Sequence, residues 1–465
     1  MSRQLSSLEE YFFYRSKWNL HSCFYTGLKL NKLPTKSQLF NALTQTVKQY
    51  PPLYCNVLEN KDGKLSMTPF KTQTIKFNDI LEYKEDWEDW SSDNINSIFK
   101  DYNFDYLVEK PLWKVVVVPQ LNTLLFIVDH VLTDGIGTTK FWQSFLTHLG
   151  PDVDADDDEN VVLFHPDSIS HENDNVRSIH PYDQWSISWS WKLKRSLVPY
   201  ILKYKPDVVT GLDPTLLQFN DYKFPKNLLD MDATKPFDYV IQNSNIHWML
   251  NVPQDKLKII LNECKQQQVS LTSYIASSFA IALNQNINDQ EDTNNGTKIK
   301  IDIPMNTRHV CQSKLSLDKS QVQMGNFVAG LEFITERSNL VDVWDVAKNI
   351  QSTIIKLSQN DIDGTIQQVK LLDVVEIKDY ILPKVSNQGP GAAFEVTNLG
   401  FHKFECENEE FTVEDAFFNE PQGISDIFTC SVVSTVKGGM NISISAPKTI
   451  NDKLTNVWAQ VKTFF

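Results

Sequence analysis

Cysteine is scarce and scattered, six in 465 residues at positions 23, 55, 264, 311, 406 and 430. No two of them form a C-x-x-C pair, a spacing that fits neither a zinc ribbon nor a disulfide framework. Basic charge is also in short supply: 44 Lys+Arg stand against 58 Asp+Glu, for a net charge of −14. Nucleic acid is therefore not an expected partner, because neutralising phosphates needs a basic face. Long apolar runs are missing too. Val115–Val118 and Leu124–Val128 are far shorter than the roughly 18–20 residues that cross a bilayer. The opening MSRQLSSLEEYFF places acids where a secretory segment would be continuously apolar, so no signal peptide is expected and the protein should face the cytosol. A Walker loop, a dinucleotide fingerprint and G-x-S-x-G are absent. The histidines at 21, 148, 165, 171, 180, 247, 309 and 402 show no metal-ligand spacing, so no metal is expected.

What is present is an ordinary globular composition, 41% hydrophobic and 22% charged, with length for two to four domains. Residues 8–60 read as helix, strand and helix, with Leu39, Leu43 and Val47 at helical spacing until Tyr50-Pro51-Pro52 stops it. WKVVVV (113–118) and TLLFIVD (123–129) read as an antiparallel strand pair, at least one strand buried on both faces. After Gly137, the residues Phe141, Trp142, Phe145, Leu146 and Leu149 form one helical stripe. Residues 151–236 then turn acidic and irregular, with a helix near Trp191–Leu202, and read as a crossover between lobes. Order resumes with helices at Leu257–Gln268, Leu271–Leu283 and Val341–Leu357. Strands are expected at Lys298–Ile303, Phe327–Ile334, Phe394–Thr397, Phe428–Thr435 and Met440–Ser445. The expected fold is α+β in two similar lobes, at 1–150 and 237–465.

The sharpest local feature is His130-Val131-Leu132-Thr133-Asp134-Gly135 at the end of the second strand of the pair. A histidine at a strand end can project into a cleft from rigid backbone. Its near-neutral pKa suits it to take a proton from a hydroxyl or amine. Other segments surround it in order: PLWKVVVVP at 111–119, DIPMNTR at 302–308, Gly325-Asn326-Phe327, FEVTNLG at 394–400 and NEPQGIS at 419–425. With these blocks the chain resembles the superfamily of CoA-dependent acyltransferases and condensation domains, and within it the fungal alcohol O-acetyltransferase family. The stretch 5–39, Ser270–Ser273 and the last two blocks resemble a yeast branch of that family, which N-acetylates the sphingolipid-synthesis inhibitor myriocin and so detoxifies it.

That resemblance implies two chloramphenicol-acetyltransferase-like lobes, each a mixed sheet with helices, and an active-site tunnel between them. Acetyl-CoA would be the co-substrate, and an amphiphilic amine or an alcohol the acceptor. His130 would be the general base, with no acyl-enzyme. Asp134 would be structural, ion-paired with Arg308, and Gly135 would complete the motif. Asn398 with Thr397 would donate to the developing oxyanion or orient substrate; a turn before Gly400 reads Asn398 equally well. Lys114 stands where the family more often has arginine. The resemblance leaves the CoA-binding residues unassigned. Two alternatives remain: an ester-forming alcohol acetyltransferase and a non-catalytic member that binds CoA or lipid. The intact His130, Asp134 and Gly135 speak against the second.

Three further expectations concern surfaces. Trp185, Trp189 and Trp191 either line the way in for a lipid-like acceptor or pack the crossover. Leu454, Val457, Trp458, Val461, Phe464 and Phe465 share one helical stripe that docks either on the core or in a membrane interface. On the second reading, peripheral contact with the cytosolic face of the endoplasmic reticulum is expected, by a monomer.

Overall fold

The computed structural model describes residues 2–151, 161–168, 180–210, 213–219, 245–287, 296–386 and 391–465. The acidic run at 152–160 and residues 220–236 of the crossover lie outside the described residues. In chain order the first half contributes α1 (Ser7–Lys17), β1 (Cys23–Leu30), α2 (Lys36–Gln49), β2 (Leu81–Tyr83), α3 (Ser92–Asp101), β3 (Trp113–Val118), β4 (Thr123–Asp129) and α4 (Gly135–Thr147). The crossover contributes α5 (Trp189–Tyr204). The second half adds β5 (Asn245–Val252), α6 (Gln254–Gln266), α7 (Leu271–Asn286), β6 (Lys298–Asn306), α8 (Arg308–Leu315), β7 (Val328–Glu336), α9 (Val343–Ile355) and α10 (Ile377–Ser386). It ends with β8 (Ala392–His402), β9 (Val413–Asn419), β10 (Asp426–Thr435), β11 (Gly439–Pro447) and α11 (Asn451–Val461).

Alternation of side chains along a strand explains the central pair. Trp113, Val115 and Val117 of β3 join Leu124, Phe126 and Val128 of β4 in one core. Val116, Val118, Leu125 and Ile127 turn to the opposite face, where α3 covers them with Ile95, Ile98 and Phe99. Both strands are thus buried on two sides. The helical stripe of α4 lies on the first face, with Phe141 stacked on Phe126 at 3.7 Å between ring centroids.

Two sheets result. The first runs in the order β9-β1-β4-β3-β2, the second β5-β11-β10-β8-β6-β7. In the second, β6, β8 and β10 are parallel neighbours and the other pairings are antiparallel. The chain does not divide cleanly between them. β9 leaves the second sheet between β8 and β10 and pairs antiparallel with β1, Asn419 opposite Tyr25. This exchange binds the lobes together and carries residues 394–425 along their junction.

The terminal helix resolves one expectation. Leu454, Val457, Trp458 and Val461 are buried, and Trp458 stacks at 5.8 Å on Trp248 of β5. The stripe docks on the protein's own core, so the membrane-docking alternative for it is set aside. An apolar stripe at helical spacing has the same pattern for either neighbour. Among the described residues no helix is long and apolar enough to cross a membrane.

Candidate active site

His130 follows β4 directly and sits where the two lobes meet. Its ring stacks on Phe12 of α1 at 3.9 Å and lies 5.1 Å from Phe24 of β1, so packing fixes its plane. Asn326, on the loop before β7, fixes its protons. The Asn326 amide nitrogen donates to the carbonyl oxygens of His130 (2.9 Å) and Val131 (3.0 Å). Its Oδ1 must then be the acceptor that faces His130 Nδ1 at 3.2 Å. The proton therefore resides on Nδ1, and Nε2 keeps its lone pair, as a base requires. Asn326 was part of the Gly325-Asn326-Phe327 block in the sequence but had no chemical role assigned there. Its signal is a hydrogen bond across nearly two hundred residues, which no local pattern displays.

Burial above all, and next the positive charge of Arg15, hold the His130 pKa down at about 4, below its ordinary 6.5. The ring is therefore neutral at physiological pH. An NMR titration of its Cε1 proton is expected to show a midpoint near 4; a midpoint at 6.5 would contradict the packing argument. For stability the sign follows from the direction. The folded form holds this proton less readily than the unfolded chain. The contribution is complete above about 6.5, is lost as pH falls towards about 4, and levels off below.

Asp134 has a different task. It caps α4, its Oδ1 accepting from Gly137 N at 2.9 Å. Arg308 Nη2 donates to Oδ1 (2.7 Å) and Nη1 to Oδ2 (2.8 Å), while Phe327 N donates to Oδ2 at 2.8 Å. Every acceptor direction of the carboxylate is used, so none is left for the imidazole. Arg308 is equally committed: Nε donates to Val322 O at 2.8 Å, Nη2 to Gly325 O at 3.0 Å, and its guanidinium lies over the Phe327 ring. The pair ties the motif of the first lobe to the loop that carries Asn326. Two glycines make room. A Cβ on Gly135 would come within 2.5 Å of Leu399 Cδ2, and one on Gly137 within 1.7 Å of Thr133 Oγ1.

Several expectations are corrected here. The strand expected at Lys298–Ile303 runs on to Asn306, and Arg308 opens α8. Asn398 spends its amide on Thr272 Oγ1 (3.1 Å) and its carbonyl on Gly400 N (2.8 Å). It forms the turn before Gly400, whose φ is +84°. Thr397 does face the cavity at His130, but its hydroxyl donates to Glu395 at 2.8 Å. Trp185 is buried among Tyr182, Val310 and Phe327, Trp189 is 79% exposed, and the cavity is lined by none of the three tryptophans. Residues Val198 and Ile201 of α5 line it instead. Lys114 makes a half-exposed pair with Glu82 at 3.8 Å, away from the site.

The cavity itself holds about 540 Å³ and runs from His130, Gly135 and Phe418 between the lobes. Its lining is mixed: Val198, Ile201, Val328 and Leu372 are apolar, and Arg15, Asp302, Glu395 and Glu420 are charged or acidic. Arg15 is a residue the sequence reading passed over. Its guanidinium lies 5.0 Å from the centroid of the Phe12 ring that stacks on His130. Its Nε and Nη2 are buried without a hydrogen-bond partner among the described residues.

Two sheet-and-helix lobes, an exchanged strand and a histidine at their junction define the condensation and acyltransferase class of fold. Solved structures of that class superpose over the whole chain. One is the trichothecene 15-O-acetyltransferase TRI3 of Fusarium sporotrichioides, with a TM-score of 0.66, 11% identity and 95% of that chain covered. Another is a condensation domain of the calcium-dependent antibiotic synthetase, with a TM-score of 0.63, 11% identity and 96% covered. The chain belongs to the alcohol acetyltransferase family, whose model matches residues 4–465. It is 38% identical to N-acetyltransferase SLI1 of Saccharomyces cerevisiae, over 100% of this chain and 99% of that protein. An uncharacterized Schizosaccharomyces pombe protein, C18B11.03c, is 22% identical over 95% of this chain and 91% of its own length. The protein is an acyltransferase, and its family implies acetyl-CoA as donor and a small molecule as acceptor.

Proposed function

We propose that the protein transfers the acetyl group of acetyl-CoA to the amino group of an amphiphilic, sphingoid-like molecule such as myriocin, with His130 as general base. The observation that carries the base assignment is the Asn326 hydrogen-bond set, which leaves Nε2 unprotonated at the head of a cavity. The acceptor nitrogen attacks the thioester carbonyl while His130 Nε2 takes its proton. The tetrahedral intermediate then collapses, the C–S bond breaks, and the thiolate of CoA recovers the proton from His130. Arg15, a cavity-lining residue whose Nε and Nη2 have no hydrogen-bond partner among the described residues, supplies positive charge for the developing oxyanion. No side chain need become acetylated.

Amine rather than alcohol is favoured by the similarity over the whole chain to an N-acetyltransferase, and by the carboxyl groups in the cavity lining. An amphiphilic acceptor suits the apolar residues that share that lining. The test is transfer from acetyl-CoA by the purified protein, with a long-chain primary amine and the alcohol of the same chain supplied together.

A further inference from the structure

Four carboxyl groups converge beside the cavity. Asp302 on β6 and Glu395 on β8 are direct register partners in parallel strands, so the sheet sets two acids side by side. Like charges in that relation destabilise a sheet. Asp426 opens β10, with β8 residue Ala392 as its own register partner, and Glu420 follows β9. Glu420 and Asp426 are only 8% and 5% exposed. Buried oxygens here lack hydrogen-bond partners among the described residues, namely Oδ1 of Asp302 and Oδ1 of Asp426. The cations nearby are occupied or offset. Lys300 Nζ is 2.7 Å from Glu332 and 3.9 Å from Asp302, and Lys384 lies over the Tyr380 ring. Arg15 makes no ion pair within 4 Å among the described residues and lies against Phe12. Such an arrangement is costly in an empty cavity and favourable around a positive charge.

An amine acceptor brings that charge, because at neutral pH it arrives as an ammonium ion and must lose a proton before nitrogen can attack. We propose that Glu395 and Glu420 form the subsite for the acceptor's ammonium group, and that Glu420 removes the first proton, leaving the neutral amine for His130. The inference rests on the N-acetyltransferase reading and names how that substrate class is recognised. The ammonium N–H bond breaks and Glu420 becomes the carboxylic acid. The freed lone pair forms the C–N bond, His130 takes the second proton and passes it to the departing thiolate, and Glu420 returns its proton to water. The sum is ammonium plus acetyl-CoA giving amide, CoA and one proton. Burial, and next the neighbouring Glu395, push the Glu420 carboxyl up to about 8; the carboxylate that accepts the ammonium proton therefore gains population as the pH rises towards that value, and its basicity is close enough to an alkylammonium for the exchange to run both ways. The charged groups around it are Glu395, Asp302 and Asp426 from the strands, Arg15 from α1 and Lys384 from α10.

The experiment compares the wild-type full chain with Glu420→Gln and, separately, Glu395→Gln, using acetyl-CoA and a long-chain primary amine between pH 7 and 10. At pH 7, kcat/KM of Glu420→Gln for the amine is expected to fall about 10²-fold. It should recover as the pH approaches the amine's own pKa, where the free base is supplied by solvent. Glu395→Gln should raise KM for the amine more than it lowers kcat. Wild-type kinetics at pH 7 in Glu420→Gln would overturn the inference while leaving N-acetylation in place. A loss that persists at pH 10 would also overturn it. If the wild-type protein itself fails to acetylate the amine, the functional reading fails first and this one with it.

Discussion

Replacing His130 by alanine is expected to lower kcat/KM for acetyl transfer by about 10²- to 10⁴-fold, the usual contribution of a positioned general base. Phe12 and Phe24 hold the ring plane, Asn326 commits Nδ1 as the donor, and the remaining nitrogen faces the cavity that also holds Arg15 and Glu420. Because burial keeps the imidazole neutral down to about pH 4, almost every molecule carries a competent base at neutral pH. The assay is initial-rate release of CoA, with acetyl-CoA binding measured on the same preparation to show that the donor site survives. A variant that turns over within a few-fold of wild type would remove His130 from the reaction.

The second large effect concerns stability. Asp134 and Arg308 are each 7% exposed at the side chain and joined by two short hydrogen bonds. Removing one partner leaves a buried charge with nothing to balance it. Asp134→Asn and Arg308→Met are each expected to cost about 3–5 kcal/mol in denaturant unfolding. The double variant should cost less than the sum of the singles, since neither charge is then stranded. Strict additivity would mean that the two side chains act independently. Activity should fall in both singles, because the pair anchors the Gly325-Asn326-Phe327 loop through Gly325 O and Phe327 N, and Asn326 sets the tautomer of the base.

Much of the first lobe was legible from pattern alone. The continuous β-branched and apolar runs WKVVVV and TLLFIVD, the Pro-Gln-Leu-Asn segment between them and the aromatic stripe after Gly137 each dictate local structure and agree with one another. His130 at the strand end was legible for the same reason. What remained hidden depends on partners distant in sequence. VEDAFFN of β9 has a strand pattern whichever sheet receives it, so the exchange into the first lobe leaves no local trace. Asn326 looks like any loop asparagine until its amide reaches the carbonyls of His130 and Val131. Arg15 sits in an ordinary amphipathic helix, and only packing against Phe12 brings it to the cavity. Asp302 and Glu395 look like solvent-facing acids on their strands; parallel pairing of β6 and β8 makes them neighbours. The terminal stripe was readable as apolar, but its partner, the Trp248 face of β5, was not.

One competition measurement bears most directly on the account. Purified full-length protein is given acetyl-CoA with equal concentrations of a long-chain primary amine and the alcohol of the same chain, and the acetylated products are separated by mass spectrometry. The account predicts the amide in large excess, formed with one CoA released per amide and lost in His130→Ala. An excess of ester, or amide formation that survives the loss of His130, would contradict it.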